Sequence, residues 1–217
     1  RDVCFGSGGL VVAARAGQTL VDMTTATVAV NREVAAALAV KGVDFADAPV
    51  ARGVPSAQDG TLSIMVGATT EVLERVRPYL ETMGTDISHC GEVGTGQVLK
   101  LMNNMLVFMN VSACAEAMAI ATRAGVDREI LFDILSCGSA DSFVMWRHAA
   151  HMTRGNYPDD QFPITYSLKD LRYALQLAEQ GGVHAAGAKL VEGRLLEAID
   201  KGLGHLYSPA IYQLFEE

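Results

Sequence analysis

The first 90 or so residues alternate two hydrophobic patterns, one typical of buried strands and one typical of helices. Apolar runs bounded by turn residues predict strands at QTLVDMTT, VDFADAPV and LSIMVGA, and a short segment, DISHC, closes this part of the chain. An alanine-rich stretch from Val28 to Val40 and a charged stretch from Thr70 to Leu80 predict helices between the strands. Strands that alternate with helices are the pattern of an α/β domain.

From Gln97 onward the strand signals stop and only helical patterns remain. Helices are predicted at roughly Gln97 to Ala124, Asp127 to Leu135, Lys169 to Gln180 and Ala185 to Lys201. The change of pattern coincides with the glycine-rich turn GEVGTG at Gly91 to Gly96. We therefore expect an α/β domain over residues 1–93, followed by an all-helical domain over residues 94–217.

The beginning of the chain departs from the pattern of a complete α/β domain. The opening RDVCFGSGGL reads as a loop, and only three or four strands follow, which is too few for a doubly wound sheet. No GxGxxG occurs in the 217 residues. We expect a partial Rossmann-type sheet that lacks its N-terminal part.

Composition and charge narrow the classes of partner. Half of the residues are hydrophobic, and the net charge is -8 with a pI near 5.1. An acidic chain of this kind excludes a general nucleic-acid-binding or anionic-membrane-binding surface, although a local cationic pocket for a small anion remains compatible with it. The partner is therefore expected to be a small molecule or another protein chain.

The cysteines and the most apolar segment indicate a cytoplasmic protein with no membrane span. Four cysteines are widely spaced, form no CxxC pair and accompany no signal-peptide pattern. The apolar run from Leu101 to Ala121 is interrupted by polar side chains at membrane depth, which favours a buried helix. These interruptions are Asn103, Asn104, Asn110 and Glu116.

A polar cluster is predicted on the long helix that follows the glycine turn. Lys100, Asn103 and Asn104 fall at i, i+3 and i+4, so their side chains share one face of an otherwise apolar helix. A lysine in such surroundings indicates a pocket that changes its proton affinity, because burying an unpaired charge is costly. The alternative is a lysine that extends to the surface beside two solvent-facing asparagines.

Two further segments allow both a binding and a structural interpretation. The amide groups of GEVGTG open a helix and can hold an anion, or the turn simply joins two elements. Ser167 and Asp170 form a capping-box pattern that places Lys169 in the first turn of a helix, where the helix dipole disfavours a cation. Lys169 then either reaches for an anionic ligand or pairs with Asp170 or Glu179.

No metal site is expected. His148 and His151 are spaced i, i+3, but no third ligand of suitable spacing accompanies them.

Four segments in this order resemble those of the β-hydroxyacid dehydrogenases, the family of 3-hydroxyisobutyrate dehydrogenase and tartronate semialdehyde reductase. VDMTTAT at 21–27 resembles the cofactor-side strand end, and DAPVARGVPSAQDGTLSIMVGA at 47–68 the substrate motif. GEVGTGQVLKLMNN at 91–104 is similar to the catalytic motif, and LKDLRYALQLA at 168–178 to the C-terminal cofactor-contacting helix. The resemblance covers essentially the whole chain.

The resemblance implies an NAD- or NADP-dependent oxidoreductase acting on a small hydroxy acid or aldehyde. It implies that Lys100 is the catalytic proton donor or acceptor, and that Asn104, with Asn103 nearby, holds the substrate oxygen. It also implies that Thr25 and Lys169 contact the cofactor, and that the helical domain builds a homodimer or homotetramer.

The chain departs from the family pattern in the substrate motif. Family members usually carry Ser-Gly-Gly after DAPV, and here Ala51, Arg52 and Gly53 stand in its place. An arginine binds a carboxylate, sulfonate or phosphate by two parallel hydrogen bonds, so we expect a substrate whose anionic end is held by Arg52. An arginine here resembles the sulfolactaldehyde reductase branch of the family, although the surrounding residues do not match that branch closely.

The absence of GxGxxG makes a truncated oxidoreductase the leading interpretation and leaves a non-catalytic fragment as its alternative. A chain without the pyrophosphate-binding segment is expected to be a truncated form with weak activity or none, or else a non-catalytic fragment that only oligomerises. A decarboxylating sugar-phosphate dehydrogenase fits less well, because the helical domain is modest in size. The residue that distinguishes NAD from NADP is not among the segments identified.

Overall fold

The structure is a computed structural model that describes residues 1–216. The chain forms two compact units, one covering Arg1–Met102 and the other beginning at Asn103. The first is α/β and the second is helical, which confirms the fold class predicted from the two hydrophobic patterns.

The first unit contains five strands and the helices between them. In chain order these are α1 (Asp2–Phe5), α2 (Leu10–Ala13), β1 (Thr19–Asp22), α3 (Val28–Ala39), β2 (Asp44–Asp47), β3 (Val50–Ala51), α4 (Gly53–Gln58), β4 (Leu62–Gly67), α5 (Thr70–Leu80), β5 (Gly84–Gly91) and the start of α6 (Thr95–Arg123). Threonine side chains start α3 and α5, since Thr27 accepts a hydrogen bond from Val30 N and Thr69 accepts one from Val72 N.

The opening segment is helical rather than a loop, so that expectation is wrong. α1 and α2 are single turns, held by backbone hydrogen bonds such as Phe5 N to Arg1 O (2.9 Å) and Ala14 N to Leu10 O (2.9 Å). Helices of four residues are too short to show a hydrophobic period, and glycines flank both of them. Phe5 packs on the cluster formed by Val34, Leu38 and Phe45.

The sheet is mixed, with two parallel pairs joined by an antiparallel ladder. β1 pairs with β2 in parallel, and β4 pairs with β5 in parallel. Asp47 pairs with Gly67, Val50 with Ile64 and Ala51 with Ser63, so β3 continues the antiparallel ladder of β2 past Pro49 in the same register. The predicted strand VDFADAPV is thus divided by Pro49, which has no N–H for the ladder.

The sheet buries one hydrophobic cluster against α5 and another against α3. Ile64, Val66, Leu73 and Leu80 are at the centre of the first cluster. The carboxyl ends of β1 and β2 lie side by side, with Asp22 opposite Asp47. This edge is where open α/β sheets bind ligands.

The second unit is entirely helical within the described residues. It contains the rest of α6, then α7 (Arg128–Ser136), a π-helix (Met145–Ala149), α8 (Ala150–Arg154), α9 (Ile164–Gln180), α10 (Ala186–Asp200) and a 3-10 helix (Ser208–Phe215). The hydrophobic periods predict α6, α7, α9 and α10 but not the shorter segments. Val111, Met118, Leu171, Leu195 and Ile211 are buried in its core.

The long helix α6 has the length and composition of a membrane-spanning segment. It is long and apolar enough to cross a membrane, and 33% of its apolar window is buried within the protein. A core helix of comparable length meets the same criterion.

Candidate active site

The loop that carries Thr25 follows β1 and is folded around Asp22. Thr24 donates to Asp22 Oδ1 from its backbone N (3.0 Å) and its hydroxyl (2.7 Å), and Asn31 donates to Asp22 Oδ2 (2.7 Å). Asn31 is completely buried on α3, so the carboxylate ties the loop to that helix. Thr25 therefore lies at the ligand-binding edge of the sheet, in a loop of defined conformation.

A second buried side chain, Gln97 on α6, holds the same loop from the other side. Its Nε2 donates to Thr24 O (2.7 Å), and its Oε1 accepts from Ala26 N (3.1 Å). Gln97 is completely buried. The sequence analysis did not select this residue, although a glutamine at the third position of an apolar helix is a signal that could have identified it.

The glycine turn before α6 binds a carboxylate of the protein itself. Asp47, completely buried at the end of β2, accepts from Gly94 N (2.6 Å) and Gln97 N (2.8 Å). Burial raises the pKa of the Asp47 carboxyl, and the hydrogen bonds from the two backbone amides act in the opposite direction. One amide of the GEVGTG turn, that of Gly94, and the amide of Gln97 just after it therefore bind an internal carboxyl group.

Lys100 and Asn104 lie one turn apart on α6, and both are buried. Lys100 is 8% exposed, so the alternative of a lysine that extends to the surface is wrong. Asn104 accepts a hydrogen bond at its Oδ1 from Asn103 Nδ2 (3.0 Å), which fixes the orientation of its amide. Of the three residues that the i, i+3, i+4 spacing predicts on one face, Lys100 and Asn104 are thus buried and Asn103 is half-buried.

In the second unit a buried carboxylate connects Asn104 with Lys169. Asn104 Nδ2 donates a hydrogen bond to Asp170 Oδ2 (2.7 Å). Lys169 Nζ lies 3.1 Å from Asp170 Oδ1, and the two groups form an ion pair without hydrogen-bond geometry. Asp170 is 1% exposed, whereas the Lys169 side chain is 43% exposed. The structure therefore brings together two residues that were selected from separate sequence segments.

The capping-box prediction around Lys169 is wrong. Helix α9 begins at Ile164, one turn earlier than predicted, and Ser167 donates to Pro163 O (3.2 Å) instead of capping the helix. Lys169 is therefore in the second turn. Of the two interpretations of this lysine, the ion pair with Asp170 is present, and the rings of Tyr166 and Tyr173 lie 5.8 and 5.6 Å from its Nζ.

Arg52 follows β3 and its side chain is bound to neighbouring strands of its own unit. Its Nη1 donates to Thr61 O (3.0 Å) and Thr85 Oγ1 (3.2 Å), and lies 2.6 Å from Asp86 Oδ2. The hydrogen bond from Thr85, followed by the one from Arg52, lowers the pKa of the Asp86 carboxyl. A substrate anion would have to compete with Asp86 for this guanidinium.

The backbone at Arg52 is also unusual. Its φ of 85° lies in the left-handed region, and Gly53 follows with a φ of 76° at the start of α4. Arg52 is the one non-glycine residue with positive φ among residues 1–216. Ala51 is the last residue of β3 and pairs with Ser63.

The two histidines considered as metal ligands pack around an aromatic ring. His148 stacks on Tyr207 at 5.3 Å between ring centroids, and His151 meets the same ring edge-on at 5.1 Å. Burial, together with the charges of Arg147 and His151, lowers the pKa of His148 to about 3. Within the described part of the chain, no group of three histidine, cysteine or acidic side chains is arranged to hold a metal ion.

The predicted site residues are divided between the units. Thr25, Ala51, Arg52, Gly53 and Lys100 belong to the first unit, and Asn103, Asn104 and Lys169 to the second. Within the second unit its three residues form one connected group through Asp170. Within the first, Thr25 and Lys100 are on segments joined by Gln97, and Arg52 lies apart beside β5.

Two family models match the chain. Residues 1–91 match the NAD binding domain of 6-phosphogluconate dehydrogenase, and residues 94–215 match a model described as NAD-binding of NADP-dependent 3-hydroxyisobutyrate dehydrogenase. The second model covers more than half of the chain.

Two named relatives are similar to this chain over most or nearly all of its length. The 2-(hydroxymethyl)glutarate dehydrogenase of Eubacterium barkeri is 32% identical over 219 residues, covering 99% of this chain and 71% of the relative. The 2-hydroxy-3-oxopropionate reductase of Escherichia coli is 36% identical over 178 residues, covering 82% of this chain and 61% of the relative.

Solved structures agree with the sequence relatives. The 3-hydroxyisobutyrate dehydrogenase of Mycobacterium tuberculosis, described with L-serine, superposes with a TM-score of 0.86 at 29% identity, over 95% of this chain and 73% of that protein.

Proposed function

We propose, for this member of the β-hydroxyacid dehydrogenase family, that the reaction interconverts a small anionic 3-hydroxy acid and its aldehyde or semialdehyde. The family membership makes the protein an NAD(P)-dependent oxidoreductase of hydroxy acids. In the proposed site Lys100 is the general acid and base, Asn104 holds the substrate oxygen, and Thr25 and Lys169 contact the cofactor.

The observation that carries this proposal is the buried contact between Asn104 and Asp170. An asparagine that only packs in a helix interior needs no carboxylate partner. Here the buried carboxylate of Asp170 accepts a hydrogen bond from the Asn104 amide (2.7 Å) and also pairs with Lys169 (3.1 Å). Asp170 therefore orients a proposed substrate contact and a proposed cofactor contact together. Preorganisation of this kind is what a site for directed proton and hydride transfer requires.

The burial of Lys100 supports its proposed role in proton transfer. A bound nicotinamide cofactor would supply hydride to the substrate carbon, or accept it from that carbon. In reduction Lys100 in its ammonium form donates a proton to the substrate oxygen, and in oxidation the neutral amine removes that proton. Enclosure by protein favours both steps because it excludes water from the reacting atoms.

Thr25 in the first unit and Lys169 in the second each fit a nucleotide cofactor by the chemistry of their donors. Thr25 offers a hydroxyl and the loop backbone beyond the carboxyl end of β1, where α/β sheets bind such groups. Lys169 offers an ammonium flanked by two tyrosine rings, which suits an anionic or aromatic group.

The substrate is proposed to be anionic and to approach residues 51–53. The relatives named above act on carboxylate compounds by name, and the mycobacterial structure is described with L-serine. Arg52 would bind the anionic end of the substrate in exchange for Asp86, an exposed partner whose ion pair is weak in water.

Assembly through the helical unit is proposed as well, since apolar side chains are exposed there. Leu106, Ile120, Ile134 and Trp146 are each more than half exposed. Exposed apolar side chains at this density are typical of protein interfaces. A homodimer or homotetramer, detectable by sedimentation, is the expected state.

The test of the proposed function is the substitution Lys100→Met in the complete natural chain. A panel of 3-hydroxy acids, short semialdehydes and sulfolactaldehyde is assayed with NAD and with NADP. With the preferred pair, we expect kcat to fall by about 10²- to 10⁴-fold, because a general acid and base is lost. The dissociation constant of the cofactor is expected to be unchanged.

Lys189→Met is the matched control, because Lys189 is an exposed lysine on α10. It is expected to keep wild-type kcat. Wild-type kcat in the Lys100→Met variant would refute the proposed role of Lys100, and no activity toward any member of the panel in the wild type would refute the proposed substrate class.

A further inference from the structure

The loop around Thr25 is held by a side chain that belongs to the helix of Lys100. Gln97 uses both ends of its amide, with Nε2 donating to Thr24 O (2.7 Å) and Oε1 accepting from Ala26 N (3.1 Å). The two backbone groups are those immediately before and after Thr25. An amide side chain can donate from its nitrogen and accept at its oxygen at the same time.

Gln97 is itself fixed at its backbone. Asp47 Oδ2 accepts from Gln97 N (2.8 Å), and Asp47 Oδ1 accepts from Gly94 N (2.6 Å), so the first turn of α6 is attached to the end of β2. Both Asp47 and Gln97 are completely buried. Because no water competes with these hydrogen bonds, each one restricts the position of the α6 backbone more than a hydrogen bond at the surface would.

The contacts form a continuous path from β2 to the proposed cofactor contact. Asp47 positions the start of α6, Gln97 on that turn positions the loop of Thr25, and Lys100 follows three residues later on the same helix. The separation between Lys100 and Thr25 is therefore set by one buried glutamine.

We propose that Gln97 is a positioning residue that holds the Thr25 loop in the conformation that binds the cofactor. This inference rests on the proposed role of Thr25 as a cofactor contact. Gln97 does not need to touch substrate or cofactor, because it acts through the backbone of Thr24 and Ala26.

Two substitutions separate this role from simple packing. Gln97→Met keeps the length of the side chain and removes both hydrogen bonds. Gln97→Glu keeps an acceptor for Ala26 N but, when ionised, has no hydrogen to donate to Thr24 O. When protonated, the glutamic acid regains a donor, and burial favours this form at moderately acidic pH.

The experiment measures the dissociation constant of NAD or NADP by calorimetry on the complete natural chain, at about pH 8 and about pH 5.5. We expect both variants to bind about tenfold more weakly than wild type at the higher pH, the magnitude of one or two hydrogen bonds. At the lower pH Gln97→Glu should recover most of its affinity relative to wild type, whereas Gln97→Met should not. Gln180→Glu, the same change at an exposed position at the end of α9 and outside the segment 168–178, should bind like wild type at both values.

A reference variant distinguishes failure of this inference from failure of the proposed function. If Thr25→Val binds weakly but both Gln97 variants bind like wild type, Gln97 has no positioning role and the proposed function stands. If Thr25→Val also binds like wild type, the cofactor role of Thr25 fails, and the inference fails with it.

Amide hydrogen exchange of wild type supplies a test that requires no variant to fold. The Ala26 amide is expected to exchange slowly, because it donates to a buried side chain. Rapid exchange at Ala26 would overturn the inference.

Discussion

Arg52 combines a strained backbone with a side chain that is bound to its own unit. A φ of 85° costs an arginine about 1 kcal/mol more than it costs a glycine, because the Cβ approaches the neighbouring carbonyl. The guanidinium contacts Thr61 O, Thr85 and Asp86. Strain of this kind persists where a side chain has a function that the flexible residue cannot supply.

Two substitutions at this position separate strain from anion binding. Arg52→Gly and Arg52→Ala both remove the guanidinium, but only glycine accepts the positive φ without strain. We expect the glycine variant to be more stable than the alanine variant by about 1 kcal/mol in urea denaturation. Both variants should raise the KM of an anionic substrate about tenfold or more, since a charge-assisted hydrogen bond is lost.

The two measurements can fail independently. Equal stability of the glycine and alanine variants would show that the left-handed conformation is not retained in solution. An unchanged KM would show that Arg52 serves only to attach its loop to β5.

At the scale of elements, the start of α6 packs directly against the sheet. Gly96 lies so near β4 that a Cβ at this position would overlap the carbonyl oxygen of Met65 and lie 3.0 Å from Gly67 N. The first turn of α6, which presents Gln97, can therefore reach Asp47 only with glycine at position 96.

The substitution Gly96→Ala is expected to displace this turn. Because the methyl group meets backbone atoms that cannot move away, we expect a loss of about 2–4 kcal/mol in the free energy of unfolding. Cofactor affinity should fall as well, since Gln97 moves with the turn. Chemical denaturation and calorimetry provide the two measurements.

Gly193→Ala on α10 is the matched control. A Cβ there meets no atom within 4 Å, and the position is an exposed helix interior. This variant is expected to gain about 0.5–1 kcal/mol from the higher helix propensity of alanine. A stable Gly96→Ala variant with normal cofactor affinity would contradict the proposed importance of the contact.

At the scale of the whole molecule, the two units carry buried titratable groups with opposite responses to pH. In the second unit, burial lowers the pKa of His148 to about 3. The unfolded chain binds this proton near pH 6.5, so stability that is present above that pH is lost as the pH falls. In the first unit, burial raises the pKa of Asp47. As the pH falls, the native state therefore binds this proton before the unfolded state does, and the free energy of unfolding increases.

Acidification is therefore expected to loosen the second unit before the first. Between about pH 6.5 and pH 5 the second unit should lose about 2 kcal/mol through His148, from about 1.4 kcal/mol per pH unit. Hydrogen exchange followed by mass spectrometry should show faster exchange in α9 and α10, with little change in β4 and β5. His148→Phe keeps a ring against Tyr207 and should abolish the effect, whereas the exposed His184→Gln should not.

The opposite order of exchange, with β4 and β5 opening first, would contradict this prediction. So would an unchanged response to pH in the His148→Phe variant.

The periodic elements could be predicted from the sequence because they repeat a pattern over many residues. The α/β and helical halves, the strands β1, β2 and β4 and the helices α3, α5 and α6 all follow from hydrophobic period and turn residues. The short helices α1 and α2 and the π-helix do not, because a segment of five residues or fewer is too short for the helical period of 3.6 residues to repeat. The antiparallel ladder between β3 and β4 depends on pairing across the chain, which no local pattern records.

The candidate site could be predicted only where local spacing carries the information. Lys100, Asn103 and Asn104 share a helix face that their spacing shows. The contact from Asn104 to Asp170 spans 66 residues, and the bonds from Gln97 to Thr24 and Ala26 span more than 70. The capping-box prediction at Ser167 was wrong because a serine that precedes a helix and a serine inside a helix have the same local sequence pattern. Only the turn at Pro163 distinguishes the two.

The pairing of Arg52 with Asp86 and Thr85 has a consequence for protein engineering. These residues stand 33 positions or more apart in sequence, yet they meet at the beginning of β5. Transplanting Arg52 alone into a relative would leave its guanidinium without the acceptors that restrict it here. A designer who intends to transfer the substrate preference proposed for Arg52 should therefore graft the loop and the start of β5 together, as one exchangeable module.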